Sequence, residues 1–338
     1  MTLPGTQKLS IKSVVAEQEY ELLIHLPGNY NTQTSKTYPV LYLLDAQWDF
    51  PLTTGVYGSQ YYDGFLPGII IVGITWGGKD ARPERLRFRD FTPPVYKSPM
   101  GEGKALEFLK FIKTELIPFI DSKFRTAKND RVLAGSSLGG LFTLYTMFEE
   151  PTLFNRYILT SPALQYGNGV VLEHEKLFAA KKIPLNARLF MAHGELENPG
   201  PFEKFAEHMK QRNYAGLEMQ TRILDHIGHS GTKAEGYARG LQWVFAKPSL
   251  QLSPAVLNAY AGLYQLGNDT LKLVGESGKL VASMGDGNRF VLDAATENDF
   301  YLKGEFLNLY FKKDQSGKVS GFQLEQFGGE QFVKKISQ

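Results

Sequence analysis

The sequence predicts an α/β fold, a mostly parallel sheet flanked by helices, followed by a small antiparallel all-β barrel-like domain. Three observations carry this. Continuous apolar runs at 38–44 and 68–74 suit strands buried on both faces of a helix-covered sheet. Strand-like and helix-like segments alternate from residue 38 to about 247. Beyond the proline-flanked polar stretch 247–254, short strands meet at turn signals with no helical period between them. The expected division is a catalytic domain over 1–247, a linker over 248–256 and an accessory barrel domain over 257–338.

Taken in order, 9–15 and 20–26 alternate in polarity around Ala16-Glu17-Gln18-Glu19 and read as an antiparallel hairpin. The buried-type strands follow at 38–44 and 68–74. Residues 106–117 carry helical spacing, with Leu106, Leu109, Ile112 and Leu116 near one face. A strand at 131–134 leads into a turn and a helix-like run over 141–148. Residues 157–160 and 187–192 supply further strands, with helices expected over 202–212 and 231–245. In the tail, turns are expected at 276–278, 285–288, 314–317 and 328–329.

The most informative stretch is Gly135-Ser136-Ser137-Leu138-Gly139, which lies where that strand gives way to the helix. In a strand–turn–helix context, a G-x-S-x-G pentapeptide presents its serine on a strained turn with Oγ exposed at the sheet's carboxyl edge. Ser137 is therefore the expected nucleophile. The backbone N–H of Leu138 would face an oxyanion forming beside it. The second donor should come from the loop after strand 38–44, Asp45 to Phe50, with the N–H of Gln47 as candidate and Trp48 near the acyl site.

A serine nucleophile needs a base and an acid that orients the base. With such an elbow they follow in the order serine, acid, histidine. His174 and His208 sit among charges on helix-like segments and read as solvated. His193 precedes the expected acid. His226 and His229 share the loop before the last helix, and His229, nearest its small-residue turn, is the expected base. For the acid, the segment after strand 187–192 offers Glu197, with Glu195 and Asp225 as reserves.

Composition excludes some classes of chemistry. With no cysteine, neither disulfides nor thiolate catalysis nor cysteine-ligated metal is available. A net charge of +2 on 37 basic and 35 acidic residues gives no electrostatic case for nucleic acid. No phosphate-cradling loop or H-E-x-x-H pattern appears, so no cofactor and no metal are expected. The first residues lack a signal-peptide pattern, and no stretch is long enough to span a bilayer. The expectation is a soluble protein, cytoplasmic, or periplasmic or secreted if a signal had been removed. The partner expected is a small ester substrate, and the oligomeric state is open.

These residues resemble a known family, the Putative esterase group of α/β-hydrolases, which includes enterochelin-type siderophore esterases, feruloyl esterases and S-formylglutathione hydrolases. The resemblance rests on Tyr42-Leu43-Leu44-Asp45 with Trp48, Arg89-Asp90-Phe91-Thr92-Pro93, the elbow with Ala134 and Gly140, Ser161-Pro162, Gly194-Glu195-Leu196-Glu197 and His229-Ser230. It covers roughly the first 250 residues. It implies an α/β-hydrolase fold with Ser137 as nucleophile and His229 as base; the acid varies within the group. Where relatives often have Asp-Gly, this chain has Asp45-Ala46. The tail is similar to a small β-barrel module found after some bacterial serine hydrolases, on Tyr260-Ala261-Gly262-Leu263-Tyr264, Gly278-Lys279-Leu280, Phe300 and Gly317-Lys318-Val319.

The function expected is a serine carboxylesterase acting on small to medium acyl esters. Feruloyl, acetyl-sugar or siderophore-lactone cleavage are the alternatives within hydrolases. A non-catalytic ligand-binding protein on the same scaffold is the alternative of another class. Arg82, Arg85, Arg87 and Arg89 would favour an anionic siderophore if they formed a basic cluster at the pocket mouth. Alternating arginines on an exposed loop or strand more often form a solvated face.

Overall fold

The computed structural model describes residues 5–79, 81–95, 99–285, 287–326 and 329–337. The chain start read for a signal peptide, and parts of the turns expected at 285–288 and 328–329, lie outside them. Contacts divide the chain into two compact units, Met1–Tyr57 with Gly68–Val244, and Gly58–Pro67 with Phe245–Gln338.

The first unit opens with β1 (Thr6–Ser13) and β2 (Gln18–His25), an antiparallel pair in which alternate residues of β2 are buried. Next come β3 (Tyr38–Leu43), α1 (Ala46–Tyr62), β4 (Ile70–Trp76) and α2 (Pro83–Phe91). Every residue of β4 is buried, as its unbroken apolar run demands. Then follow α3 (Ala105–Phe111), a π-helical turn over Ile112–Leu116, α4 (Ile117–Lys123), β5 (Thr126–Ser136) and α5 (Leu138–Glu149). After β6 (Arg156–Thr160) come α6 (Val170–Ala180), β7 (Ala187–Gly194), α7 (Gly200–Arg212), β8 (Leu217–Leu224) and α8 (Thr232–Val244).

The eight-stranded sheet runs β1-β2-β4-β3-β5-β6-β7-β8. From β4 to β8 the strands are parallel, so their carboxyl ends form one rim, and the loops of the candidate site leave from it. This is the α/β-hydrolase type of fold the sequence predicts.

Two local expectations are corrected. Residues 45–50 are not a loop, because helix α1 begins at Ala46 directly after a left-handed turn at Asp45 (φ 54°). Pro51 lies within α1 and no clean apolar stripe marks the helix, so periodicity did not reveal it. The arginine run is likewise neither loop nor strand. Pro83 occupies the first turn of α2, where its fixed φ suits helix initiation, and the helix turns Arg87 away from the face shared by Arg82, Arg85 and Arg89.

In the second unit, Pro254–Tyr260 forms α9, whose cap Ser253 accepts a hydrogen bond from the Val256 N–H through its side chain. Strands β9 (Gly262–Leu266), β10 (Asp269–Glu276), β11 (Lys279–Met284), β12 (Asn288–Ala294), β13 (Asp299–Leu302), β14 (Leu307–Lys313), β15 (Val319–Gln326) and β16 (Gly329–Ser337) follow. They close an antiparallel barrel in which β16 pairs back onto β9. Tyr260, Tyr264, Phe300, Phe311 and Phe322 fill its core, with ring centroids of neighbouring pairs 4.5–6.1 Å apart.

Candidate active site

Ser137 stands between β5 and α5 with φ 59° and ψ −117°, a strained conformation for a residue with a side chain. The surrounding backbone enforces it. The Ser137 N–H donates to the Thr160 carbonyl at 3.0 Å, and the Ser137 carbonyl accepts from Leu141 and Ala163, each at 3.0 Å. Glycine is required at 135 because a Cβ there would lie 2.6 Å from the Gly139 backbone. The tight turn thus rests on contact between the two glycines of the pentapeptide.

Glu197 and His229 come together across the rim. His229 Nδ1 lies 2.6 Å from Glu197 Oε2, while Glu197 Oε1 accepts from Ser161 Oγ at 2.5 Å and from the Gly194 N–H at 3.0 Å. Burial alone would push the Glu197 carboxyl up. The hydrogen bonds from Ser161, His229 and Gly194, with His193 nearby, outweigh it and hold the group below the ordinary glutamate range. Ser161 Oγ also meets Thr232 Oγ1 at 2.9 Å, and Thr232 donates to the His229 carbonyl at 2.8 Å. Glu197 and His229 are thus joined directly, and because each hydroxyl has one proton, Ser161 and Thr232 bond each other only when one of them gives up its other acceptor.

Ser137, His229 and Glu197 line one cleft of about 280 Å³ with Leu164, Tyr166, His193 and Phe202. Ser137 and His229 exchange no hydrogen bond, and such contacts commonly tighten only with substrate bound. The His193 ring stacks on Phe202 with centroids 5.0 Å apart. Its Nε2 meets the Asn198 carbonyl at 3.2 Å, and its Nδ1 lies 3.8 Å from Glu197 Oε1.

The other expected residues fall as follows. Leu138 begins α5 and Gln47 lies in the first turn of α1, so both backbone N–H groups belong to helix starts with no carbonyl four residues back to receive them. Trp48 is 48% exposed, with the Lys233 ammonium 5.9 Å from its ring, and it does not line the cleft. Glu195 receives the His226 N–H at 2.7 Å, and Asp225 lies exposed. His174 and His208 are not simply solvated, since they meet Glu149 at 2.7 Å and the buried Glu175 at 2.8 Å.

Local sequence reading missed two buried carboxylates beside the elbow. Asp45 and Asp49 are each 1% exposed. Arg87 Nε donates to both Asp45 oxygens, at 2.8 and 2.9 Å, and its Nη2 to the Ser136 carbonyl at 3.0 Å. Burial pushes the Asp45 carboxyl up to about 6, against the lowering effect of Arg87. Asp49 accepts from Lys233 Nζ and from Tyr237 OH, both at 2.7 Å. The Asp45-Ala46 and Arg89-Asp90 motifs flagged this region, but nothing in them names these partners.

The arginines of α2 divide by helix face. Arg87 turns to Asp45, whereas Arg82, Arg85 and Arg89 line a separate hollow of about 520 Å³ with Lys79, Lys104 and Glu102. Arg89 is held by the buried Asp90. Among the described residues no carboxylate pairs with Lys79, Arg82, Arg85 or Lys104.

The "Putative esterase" family matches residues 13–234. The chain is 30% identical over 251 residues to the ferri-bacillibactin esterase BesA of Bacillus subtilis, covering 69% of this chain and 82% of that protein. Among solved structures, the BES protein from Bacillus cereus aligns with TM-score 0.65 and 25% identity, covering 72% of this chain and 96% of that one. An IroE-like serine hydrolase from Shewanella oneidensis aligns with TM-score 0.62 and 27% identity, covering 71% and 80%.

Proposed function

The chain belongs to the Putative esterase family, and within it we propose that this protein is a serine carboxylesterase that hydrolyses acyl esters through an acyl-enzyme intermediate. The observation that carries the reading is the 2.6 Å contact between His229 Nδ1 and Glu197 in the cleft that Ser137 enters from a strained elbow. Ser137 Oγ attacks the ester carbonyl while His229 Nε2 takes its proton. Glu197 fixes the tautomer and offsets the imidazolium charge. The N–H groups of Leu138 and Gln47 receive the oxyanion, each worth about 3 kcal/mol in comparable sites. His229 then returns the proton to the leaving alcohol, and water repeats the sequence to release the acid.

A narrower reading, cleavage of a siderophore-type ester, is supported by the similarity to a ferri-bacillibactin esterase. The basic hollow of Arg82, Arg85 and Arg89 shares no lining residue with the Ser137 cleft and carries no part of it. We assign catalysis to the domain over 1–247 and an accessory role to the barrel over 257–338.

The test is steady-state hydrolysis by wild type and Ser137→Ala of p-nitrophenyl acetate, a feruloyl ester, an acetylated sugar and a ferric catecholate lactone. Wild type turns over at least one and Ser137→Ala none. Equal inertness of both proteins across the panel would refute the esterase reading. A clear preference for the ferric catecholate lactone over the other esters would support the narrower one.

A further inference from the structure

The segment that carries the Gln47 N–H is held from both ends by buried charge. At one end Asp45 adopts φ 54° and gives its carboxylate to Arg87, which also grips the Ser136 carbonyl beside the nucleophile. One guanidinium from α2 therefore ties the β3–α1 turn to the elbow strand. At the other end Asp49 is held by Lys233 and Tyr237 of α8, the helix whose first residue, Thr232, bonds the His229 carbonyl. Next to these two aspartates, Ala46 and Phe50 seat on Gly73 of β4, where a Cβ would come within 2.8 and 2.6 Å of their side chains. Among the described residues, the buried side-chain oxygen and nitrogen of Gln47 have no hydrogen-bond partner.

Buried ion pairs are poor devices for stability, because desolvation offsets most of the attraction. Two of them within five residues, at the start of one helix, call for another reason. We propose that Asp45 with Arg87, and Asp49 with Lys233 and Tyr237, form a two-ended clamp of positioning residues that fixes the Gln47 N–H against the Leu138 N–H, so that both donors meet the oxyanion without reorganisation. The proposal rests on the serine-esterase reading. The clamp residues touch no reacting atom and act through the backbone of residues 45–49. A donor displaced by a fraction of an ångström stabilises the transition state less while leaving ground-state binding of the ester nearly unchanged.

The test uses the full chain with Asp45→Asn, Arg87→Met and Tyr237→Phe. Active sites are titrated with a fluorophosphonate, and p-nitrophenyl acetate kinetics are expressed per titrated site. Affinity for a trifluoromethyl ketone, which forms an oxyanion adduct on Ser137, is measured in parallel. Each variant is expected to lose about tenfold to a hundredfold in kcat with KM within about twofold. Ketone affinity falls by the same factor as kcat/KM. Across the three variants the loss in kcat does not track the change in melting temperature, which a purely structural role would not produce. Variants with wild-type kcat per titrated site, whatever their melting temperature, would overturn the clamp, and so would loss in KM alone. An inert wild type that takes up no fluorophosphonate would instead overturn the esterase reading and the clamp with it.

Discussion

On one flank of the cleft, Glu197 reaches a His229 side chain that is 52% exposed, across two neighbouring loops that also present Glu195 and His226 to solvent. On the other flank, Asp45 and Asp49 are almost wholly buried and their oxygens are taken by cations and a phenol. On the proposed reading, the first arrangement would leave a base able to adjust when substrate arrives. The second would leave its segment nowhere to go, which suits donors that must already stand where charge will develop. Proton transfer and oxyanion binding would then place different demands on the same rim, one met with exposed hydrogen bonds and the other with buried ions.

The comparison can be broken in four places. His229→Ala removes the base and is expected to lower kcat by about 10⁴-fold or more, read from p-nitrophenyl acetate hydrolysis with the melting temperature unchanged. Glu197→Gln keeps the shape but frees the imidazole to take the wrong tautomer, so a loss of about 10²- to 10⁴-fold is expected in the same assay. A loss under tenfold would mean that His229 works without its acid.

The third test is Asp45→Asn, followed by urea unfolding at several pH values. The folded-state pKa of Asp45, about 6, lies above the ordinary 3.8, so its ionisation opposes folding. This opposition is absent below about pH 4, grows as pH rises, and is complete above about pH 6. The asparagine variant should therefore gain on wild type as pH rises from about 4 to about 8, on top of a pH-independent cost from leaving the Arg87 guanidinium unpaired. Glu197 runs the other way: its depressed pKa contributes stability above the ordinary glutamate range that is lost as pH falls through the depressed value. The fourth and smallest effect is Ser161→Ala, which leaves Glu197 with one donor fewer. It should cost about 1 kcal/mol in stability, and severalfold in kcat.

The flank of Glu197 and His229 was legible because its chemistry is local: a pentapeptide, a carboxylate just past one strand and a histidine just past the next. The sheet was legible for a similar reason, since β4, buried along its whole length, has an uninterrupted apolar sequence. The Asp45 and Asp49 flank was not, because its pairs join residues 42, 184 and 188 positions apart, and no local period encodes such a meeting. Helix α1 was hidden by Pro51 and its glycines, and is held by tertiary packing of Phe50 and Tyr57 more than by propensity. The arginine run misled for the opposite reason. Its alternation in sequence suggested one exposed face, whereas the helix sends Arg87 inward and Arg82, Arg85 and Arg89 to a different side.

The most direct test of the account is mass spectrometry of the intact chain after exposure to a fluorophosphonate. One phosphonyl group per chain is predicted, located on Ser137 by peptide mapping, with no labelling of Ser137→Ala and strongly slowed labelling of His229→Ala. Labelling at another serine, or undiminished uptake by Ser137→Ala, would contradict it.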